Sequence, residues 1–394
     1  MVIGTNFSNF IAYVYHFIFA RILEPAKYGE LASTLTLLGL LTTSFVFLSL
    51  VVVKFISTAD KKDVEVVFSW FIKKSAAISF LLAILILALS PAISKFMHVD
   101  VKIILLIGPI LFFSVFLVVT RATLQGLMKF RELVVSNTSE MLGRLIFGLI
   151  LVMVGWEVFG AFVGILVSIV FSLLLTKNYL KDFKIIKVVR KFEDGEKVFS
   201  YGLPIFIASL ASNMFFSTDV ILVKHFFSSY DAGLYAALSN LGKIIFYGAS
   251  PVTSVMFPMV SKRHSQGGNF HKIFIFSLLL TSLIAGGILT LYFLFPNIAI
   301  LTLYGKKYVQ AAPNLFWFGT FMTIFTIGSL FMNYFLSRNK TKVVWLVIGG
   351  ALLQIVGIWF FHKNMITVIR VSTLSATLCL ASLLIYFVYE TKSK

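Results

Sequence analysis

The sequence predicts an all-α integral membrane protein of about twelve transmembrane helices, arranged as two six-helix lobes related by a pseudo-twofold axis along the membrane normal. Three observations support this. Of 394 residues, 59% are hydrophobic and only 13% are charged, whereas a typical soluble domain carries about 25% charged residues. Apolar stretches long enough to cross the ~30 Å hydrocarbon core recur along the whole chain. Landmark residues of the first half recur in the second half at a nearly constant offset.

The predicted spans are helices, because a helix satisfies its own backbone hydrogen bonds in lipid and the alternating pattern of a barrel is absent. The first begins almost at Met1 with no basic segment or small-residue cleavage site, so we expect a retained helix rather than a signal peptide. A single cysteine, Cys379, excludes a disulfide framework and a cysteine-based metal cluster. We expect the spans at 3–22, 32–56, 72–97, 103–127, 133–155, 157–180, 198–223, 231–260, 271–300, 312–336, 341–361 and 365–390.

The distribution of lysine and arginine orients these spans. About two thirds of the 34 basic residues lie on the even-numbered loops and the C-terminal tail, counting the adjoining helix ends. By the positive-inside rule, both termini are then cytoplasmic in the cell (inner or plasma) membrane. The net charge of +18 is therefore explained by topology and by contact with anionic membrane lipids, not by nucleic-acid binding.

The chain divides in the middle. We expect an N-terminal lobe at 1–180, a basic cytoplasmic linker at 181–197 and a C-terminal lobe at 198–394. The linker is equally compatible with an amphipathic surface helix and with a solvated connector. Gly29 follows span 1 and Gly233 follows span 7, and Pro91 and Pro296 end spans 3 and 9. Matches in the same order indicate a duplication with both halves in the same orientation, a common plan in transporters.

Polar side chains at membrane depth are the candidate functional residues, because a charge at a span centre costs roughly 2.5–3.5 kcal/mol on insertion scales and needs a partner or a watery cavity. Several of them lie on polar stripes at helical spacing in spans 1, 7 and 8, and if the halves are equivalent these stripes could face one central cleft. Asp219 is the candidate for binding a coupling cation, H⁺ or Na⁺. The candidates for binding a substrate are Lys243, Arg144, Asn240, Tyr247, Asn213, Asn9, Arg370 and Arg121.

Structural roles compete with the assignments of the charged candidates. Arg144 can pair with Glu140 on its own helix, and Lys243 can pair with Asp219 across a helix contact. Arg121 and Arg370 lie near span ends and can extend to the interface. Buried cations nonetheless outnumber buried acids, which suits an anionic ligand such as a phosphate or diphosphate.

The sequence lacks the motifs of several enzyme classes. It has no GxxxxGK[ST] loop for a nucleotide, no HExxH and no GxSxG. The predicted outer loops are short and carry few acids, whereas membrane glycosyltransferases and polymerases need catalytic groups on sizeable loops. We therefore expect a protein that is not an enzyme and holds no cofactor or metal.

Local motifs add a family resemblance over essentially the full length. They are Arg21-Ile-Leu-Glu-Pro-Ala-Lys-Tyr-Gly29 after span 1, Leu124-Gln-Gly126 after span 4, Tyr201-Gly-Leu-Pro204 opening span 7, Asp219 near its end, and Ala232-Gly-Leu-Tyr235 opening span 8. In this order they resemble the oligosaccharide and polysaccharide (O-antigen type) flippases of the multidrug/oligosaccharidyl-lipid/polysaccharide exporter superfamily. Glu24 departs from the glycine usual at that position, and the segment before span 1 is shorter than usual.

The resemblance implies a flippase that moves a polyprenyl-diphosphate-linked oligosaccharide from the cytoplasmic to the outer leaflet by alternating access. Its partners would be that lipid-linked glycan, the membrane lipids and a glycan polymerase or glycosyltransferases. Two alternatives stay open: a multidrug or cation antiporter of the same superfamily, which would favour an acidic cleft, and a membrane glycan polymerase or ligase.

Overall fold

The structure, a computed structural model, describes residues 2–59, 63–181, 195–266 and 268–392, and within them it leaves out the side chains of 2–6, 9, 44, 46, 195–205, 391 and 392. Apart from short turns, the described residues are helical, with no strand among them. The α-helices are α1 Val2–Ile22, α2 Pro25–Thr58, α3 Val64–Met97, α4 Val101–Gly126, α5 Phe130–Leu151, α6 Glu157–Tyr179, α7 Gly195–Phe226, α8 Ser229–Ser265, α9 His271–Leu294, α10 Pro296–Leu303, α11 Ala312–Ser337, α12 Val343–Phe360 and α13 Met365–Lys392.

The predicted fold class is confirmed. Ten stretches of described helix are long and apolar enough to cross a membrane, and the apolar part of α1, Phe10–Ile22, adds a shorter one. The longest stretch, 130–179, contains both α5 and α6. They are separated by a kink at Gly155, whose φ of 97° lies in the left-handed region that glycine adopts without steric cost. The predicted boundary between spans 5 and 6 falls at this kink.

Span 9 is the clearest difference from the prediction. We expected one helix over 271–300, but α9 ends at Leu294 and a short helix, α10, begins at Pro296. Proline lacks the N–H that a continuing helix needs and is well suited to the first turn of a new one. Pro296 therefore breaks the span instead of lying at its end.

The chain forms two compact units. Unit 1 comprises Met1–Leu23 and Glu30–Ser209, and unit 2 comprises Glu24–Gly29 and Leu210–Lys394. The boundary between the long segments thus lies inside α7, while most of the predicted linker, 181–197, falls outside the described residues.

Unit 1 is held together by close backbone packing between α5 and α6. A Cβ added to Gly164 of α6 would overlap the backbone of Gly148 on α5, and one on Gly160 would lie 3.0 Å from Leu151. The small-xxx-small spacing of Gly160 and Gly164 therefore works as a helix-packing motif. This contact fixes the position of α5, which carries the charged residues described below.

Unit 2 contains an equally close approach between the first turns of α2 and α8. A Cβ on Gly29 would lie 2.7 Å from the backbone nitrogen of Gly233, and one on Gly233 would overlap the carbonyl oxygen of Pro25. The two glycines that marked the sequence repeat thus lie against each other. Next to them, the buried Tyr28 ring packs edge-on against Tyr304 at a centroid distance of 5.9 Å.

Candidate functional site

A cavity of about 510 Å³ lies among α2, α4 and α5 of unit 1. Its charged lining residues are Arg121 on α4 and Glu140 and Arg144 on α5. Around them the wall carries the uncharged polar side chains of Thr42, Ser49, Ser114, Gln125 and Asn137. Polar groups in a lipid-spanning bundle are expensive unless they face water or a ligand, so their convergence makes this cavity the candidate site.

Glu140 organises the charges of this cavity. Its side chain is almost fully buried, with the residue 4% exposed. One carboxylate oxygen, Oε2, accepts a hydrogen bond from Arg121 Nη1 at 2.5 Å. The other, Oε1, accepts one from Arg144 Nη2, four residues further along the same helix. The expected pairing of Arg144 with Glu140 is therefore present, and Arg121 shares the same carboxylate.

Each of the three guanidinium nitrogens of Arg121 donates a hydrogen bond. Its Nε donates to Ser136 Oγ at 2.8 Å, and its Nη2 donates to the Ser136 carbonyl at 2.7 Å and to Ser172 Oγ at 2.9 Å. Ser136 Oγ also lies 2.7 Å from Thr176 Oγ1 of α6. The guanidinium thus ties α4 to α5 and α6. Instead of extending to the interface, as its place near a helix end allowed, Arg121 is a partly buried side chain that links three helices.

Arg144 has fewer hydrogen-bond partners than Arg121. Its side chain is 27% exposed, and Glu140 is the one partner recorded for it among the described residues. Its buried Nε has no hydrogen-bond partner among the residues that the structure describes. A guanidinium has five N–H donors in a planar fork that matches phosphate and carboxylate oxygens. Arg144 therefore has unused donors at the cavity, where two guanidinium groups and one carboxylate leave one surplus positive charge.

Lys243 occupies a different environment in unit 2. The residue is 8% exposed on α8, and its ammonium lies 4.6 Å from the centroid of the Phe216 ring on α7. The ring face attracts a cation and offsets part of its desolvation. No ion pair within 4 Å is recorded between Lys243 and Asp219, both of which the structure describes. The two buried charges still attract each other at longer range, so the pairing considered from the sequence is present without a salt bridge, beside the cation–π contact.

Asp219 of α7 is fully buried, at 0% exposed. Its Oδ2 accepts a hydrogen bond from the Tyr235 hydroxyl of α8 at 2.8 Å. Within the described part of the chain, its Oδ1 has no hydrogen-bond partner. A buried carboxylate oxygen without a donor is costly unless a proton or a cation satisfies it.

The remaining predicted residues are dispersed. Asn240 donates to the Tyr28 hydroxyl at 2.9 Å, so its side chain holds the α2–α8 contact. Tyr247 is about half exposed and packs edge-on against Phe216. Asn213 is half-buried on α7, Arg370 is exposed near the start of α13, and the side chain of Asn9 lies outside the described part of the chain.

The structure thus brings Arg121 and Arg144 together in one cavity, and Lys243 and Asp219 separately into unit 2. Sequence reasoning missed the hydroxyl groups that anchor Arg121. Ser172 and Thr176 are four residues apart on α6, and that spacing places two small polar groups on one helix face. This was the only signal in the sequence, because the match with Ser136 is a tertiary contact.

Comparisons with known proteins agree with this architecture. A sequence profile of the family described as "Polysaccharide biosynthesis protein" matches residues 18–313. An uncharacterized membrane protein of Methanocaldococcus jannaschii is 25% identical over 364 residues, covering 85% of this chain and 81% of that protein.

Two solved structures share the fold. A lipid II flippase MurJ in an inward closed conformation matches with a TM-score of 0.79 and 17% identity, over 98% of this chain and 87% of that one. An inward-facing multidrug resistance MATE family transporter of the MOP superfamily matches with a TM-score of 0.74 and 16% identity, over 97% and 95% of the two chains. At these identities, the likeness shows the fold alone.

The different engagement of the two arginines leads to a stability prediction. Arg121→Gln removes a partner of a buried carboxylate together with bonds that link three helices, and we expect a loss of about 3 kcal/mol or more. Arg144→Gln leaves the Arg121–Glu140 pair intact, so its loss should be smaller, about 1 kcal/mol. Thermal unfolding of the purified variants measures the order, with Arg131→Gln, an exposed change at the start of α5, as the neutral control. Equal losses for Arg121→Gln and Arg144→Gln would contradict this division of roles.

Proposed function

Because the chain belongs to the polysaccharide biosynthesis protein family, we propose that it carries a polyprenyl-diphosphate-linked oligosaccharide across the membrane. The proposed direction is from the cytoplasmic to the outer leaflet, by alternating access, to supply cell-surface polysaccharide biosynthesis. The family resemblance derived from the sequence motifs is confirmed by the profile match. The solved structures with this fold are named as flippases and transporters, which favours transport over catalysis.

The observation that carries this proposal is the surplus positive charge of the unit 1 cavity. Arg144 has free donors at the cavity, and polar side chains such as Asn137 and Gln125 line the wall beside it. A diphosphate accepts paired hydrogen bonds from a guanidinium, and these bonds are stronger than neutral ones. Amide and hydroxyl groups in the wall suit the sugar hydroxyls. In this arrangement Arg144 replaces part of the water around the diphosphate and lowers the cost of bringing it to membrane depth.

Lys243 supplies a second candidate cation in this proposal. Its contact with Phe216 is weaker than an ion pair, so an anionic group can compete for the ammonium at small cost. The proposed orientation, which the basic-residue bias supports, has both termini in the cytoplasm, so that glycosyltransferases deliver the cargo on that side and a glycan polymerase receives it on the other.

A multidrug or cation antiporter of the same superfamily is the alternative. A cationic substrate would be served by a cavity with surplus negative charge, since like charges repel in a low-dielectric site. Among the described residues that line the unit 1 cavity, the only acid, Glu140, is already shared by two arginines. The charge balance of the described cavity therefore favours the anionic cargo.

Loss of the Arg144 charge should impair transport without unfolding the protein. We expect Arg144→Gln to lower translocation at least tenfold in a host that lacks its own flippase, because the head group loses its paired donors. Arg144→Lys should retain an intermediate activity, since it keeps the charge and loses the planar fork. Cell-surface glycan, normalised to the amount of folded protein, is the measurement.

Arg131→Gln is the matched control for that experiment, because it removes one arginine of the same helix outside the cavity. It should translocate at the wild-type rate. Wild-type translocation by Arg144→Gln at equal expression would refute the role of this side chain. Normal glycan export combined with lost resistance to lipophilic cations would support the antiporter instead.

We further propose that Asp219 binds the coupling cation, H⁺ or Na⁺. The buried Oδ1 lacks a donor, while Tyr235 holds Oδ2 in place. The same region of unit 2 holds the buried Gln354, whose Oε1 also lacks a partner and whose Nε2 donates to Ser372 Oγ at 2.9 Å. Oxygen ligands of this kind suit a proton or a hard cation.

Removal of the Asp219 charge should uncouple transport from the ion gradient. In proteoliposomes, we expect wild-type translocation to be accelerated by an inward gradient of either Na⁺ at fixed pH or H⁺ without Na⁺. Asp219→Asn should respond to neither. The control is Asp100→Asn, an exposed cap of α4 at which asparagine serves equally well. A gradient response of Asp219→Asn equal to that of the wild type would exclude this site.

A further inference from the structure

A second, larger cavity of unit 1 lies towards the ends of three helices, and neither Arg121 nor Arg144 is among its lining residues. It has a volume of about 960 Å³, and its apolar wall comes from the start of α3, the end of α4 and the end of α6. The apolar lining residues are Phe68, Ile72, Phe116, Leu173, Leu174 and Leu180. Leu174 is strongly exposed, whereas Phe68 and Leu180 are buried and form the floor. We refer to this feature as the α3–α4–α6 groove.

The exposed polar groups of this groove lie on the last turn of α6 and just after it. Lys177, Asn178 and Lys181 belong to its lining and are exposed. Thr120 also lines it, but its hydroxyl already donates to the Phe116 carbonyl at 2.9 Å. No hydrogen bond or ion pair is recorded for the side chains of Lys177, Asn178 or Lys181 within the described part of the chain. The groove thus has an apolar body and one cationic end, and no acid is among its lining residues.

This end of the groove is the one predicted to face the cytoplasm. The start of α3, the end of α4 and the end of α6 adjoin three of the even-numbered loops, the set that carries the excess of lysine and arginine. Anionic lipids concentrate in the cytoplasmic leaflet, and basic pockets between helices on that side bind their head groups. Lysine is well suited to such a site, because its compact charge on a flexible stem can follow a mobile phosphate.

We propose that the α3–α4–α6 groove binds an anionic phospholipid of the cytoplasmic leaflet. Its acyl chains lie against Phe68, Phe116 and Leu174, and its phosphate lies between Lys177 and Lys181. The groove fits a phospholipid better than the glycan cargo, because apart from the Thr120 hydroxyl, which already donates to a carbonyl, its polar side chains are two point charges and one amide, too few for a row of sugar hydroxyls. This inference is independent of the proposed transport function.

Lipid binding to the purified full-length protein tests the proposal. The detergent-solubilised protein is titrated with dioleoyl-phosphatidylglycerol or dioleoyl-phosphatidylcholine, and bound lipid is counted by native mass spectrometry. We expect the anionic lipid to bind about tenfold more tightly than the zwitterionic one. The double change Lys177→Gln and Lys181→Gln should bring the two affinities to parity.

Two further variants separate the groove from general surface charge. Lys262→Gln with Lys272→Gln removes the same charge from exposed sites in unit 2 and should leave the preference unchanged. Leu174→Trp fills the apolar body at an exposed position and should weaken the binding of both lipids.

Several outcomes would overturn the assignment. Equal affinities of the wild type for the two lipids would show that the lysines do not select an anionic head group. Retained preference in the Lys177→Gln, Lys181→Gln variant, or an equal loss in the control pair, would place the effect elsewhere. Stronger binding of a polyprenyl phosphate than of phosphatidylglycerol, lost in the same variant, would assign the groove to the substrate's lipid tail instead.

Discussion

The shared carboxylate of Glu140 is the constraint on which unit 1 depends. An ionised carboxylate inside a lipid-spanning bundle is unstable without partners, and truncating one partner of a buried pair costs about 3–5 kcal/mol. Two guanidinium groups, from Arg121 on α4 and Arg144 on α5, meet it here. Because Arg121 also donates to Ser136 and Ser172, the pairing of one acid fixes the mutual position of three helices. The wall of the cavity and the placement of Arg144 follow from it.

The buried charges of the two candidate sites are satisfied differently. In the unit 1 cavity the charges pair directly and leave one positive charge in excess. In unit 2 the ammonium of Lys243 lies on the Phe216 ring, and the carboxylate of Asp219 is held by the Tyr235 hydroxyl. A charged side chain whose hydrogen bonds and ion pairs are complete stabilises the fold. One whose bonds are weak or incomplete can still exchange its partner for a ligand. Arg144, Lys243 and Asp219 belong to the second kind, and a transport cycle requires such groups because it must bind and release its cargo.

Composition and hydropathy were sufficient to predict the helical class and nearly every span, because the length of an apolar run is fixed by the bilayer. The break at Pro296 could also have been predicted from the sequence, since proline favours the first turn of a helix. The direct contact of Gly29 with Gly233 was not, because a repeat in sequence does not say which copies touch. Arg144 and Glu140 were predictable as a pair from their spacing on one helix. The role of Arg121 was not, since its partners lie on α5 and α6 and are brought to it only by tertiary packing.

The α3–α4–α6 groove is another feature that depends on tertiary packing and could not be predicted from the sequence. Lys177 and Lys181 fitted the positive-inside pattern and needed no further explanation in the sequence. Only the packing of Phe68 and Phe116 beside them turns two ordinary interfacial lysines into the cationic end of an apolar groove. Charge patterns along a chain thus identify the side of the membrane, while the shape of a site depends on which helix ends meet.

Equilibrium binding of soluble, short-chain isoprenyl derivatives to the purified protein tests the central claim most directly, because it isolates recognition of the head group from movement. The surplus positive charge predicts that a diphosphate binds more tightly than the monophosphate, that the uncharged alcohol binds weakly, and that added salt weakens the diphosphate most. Equal affinities for the diphosphate and the alcohol, or preferential binding of a lipophilic cation, would contradict the assignment of an anionic cargo.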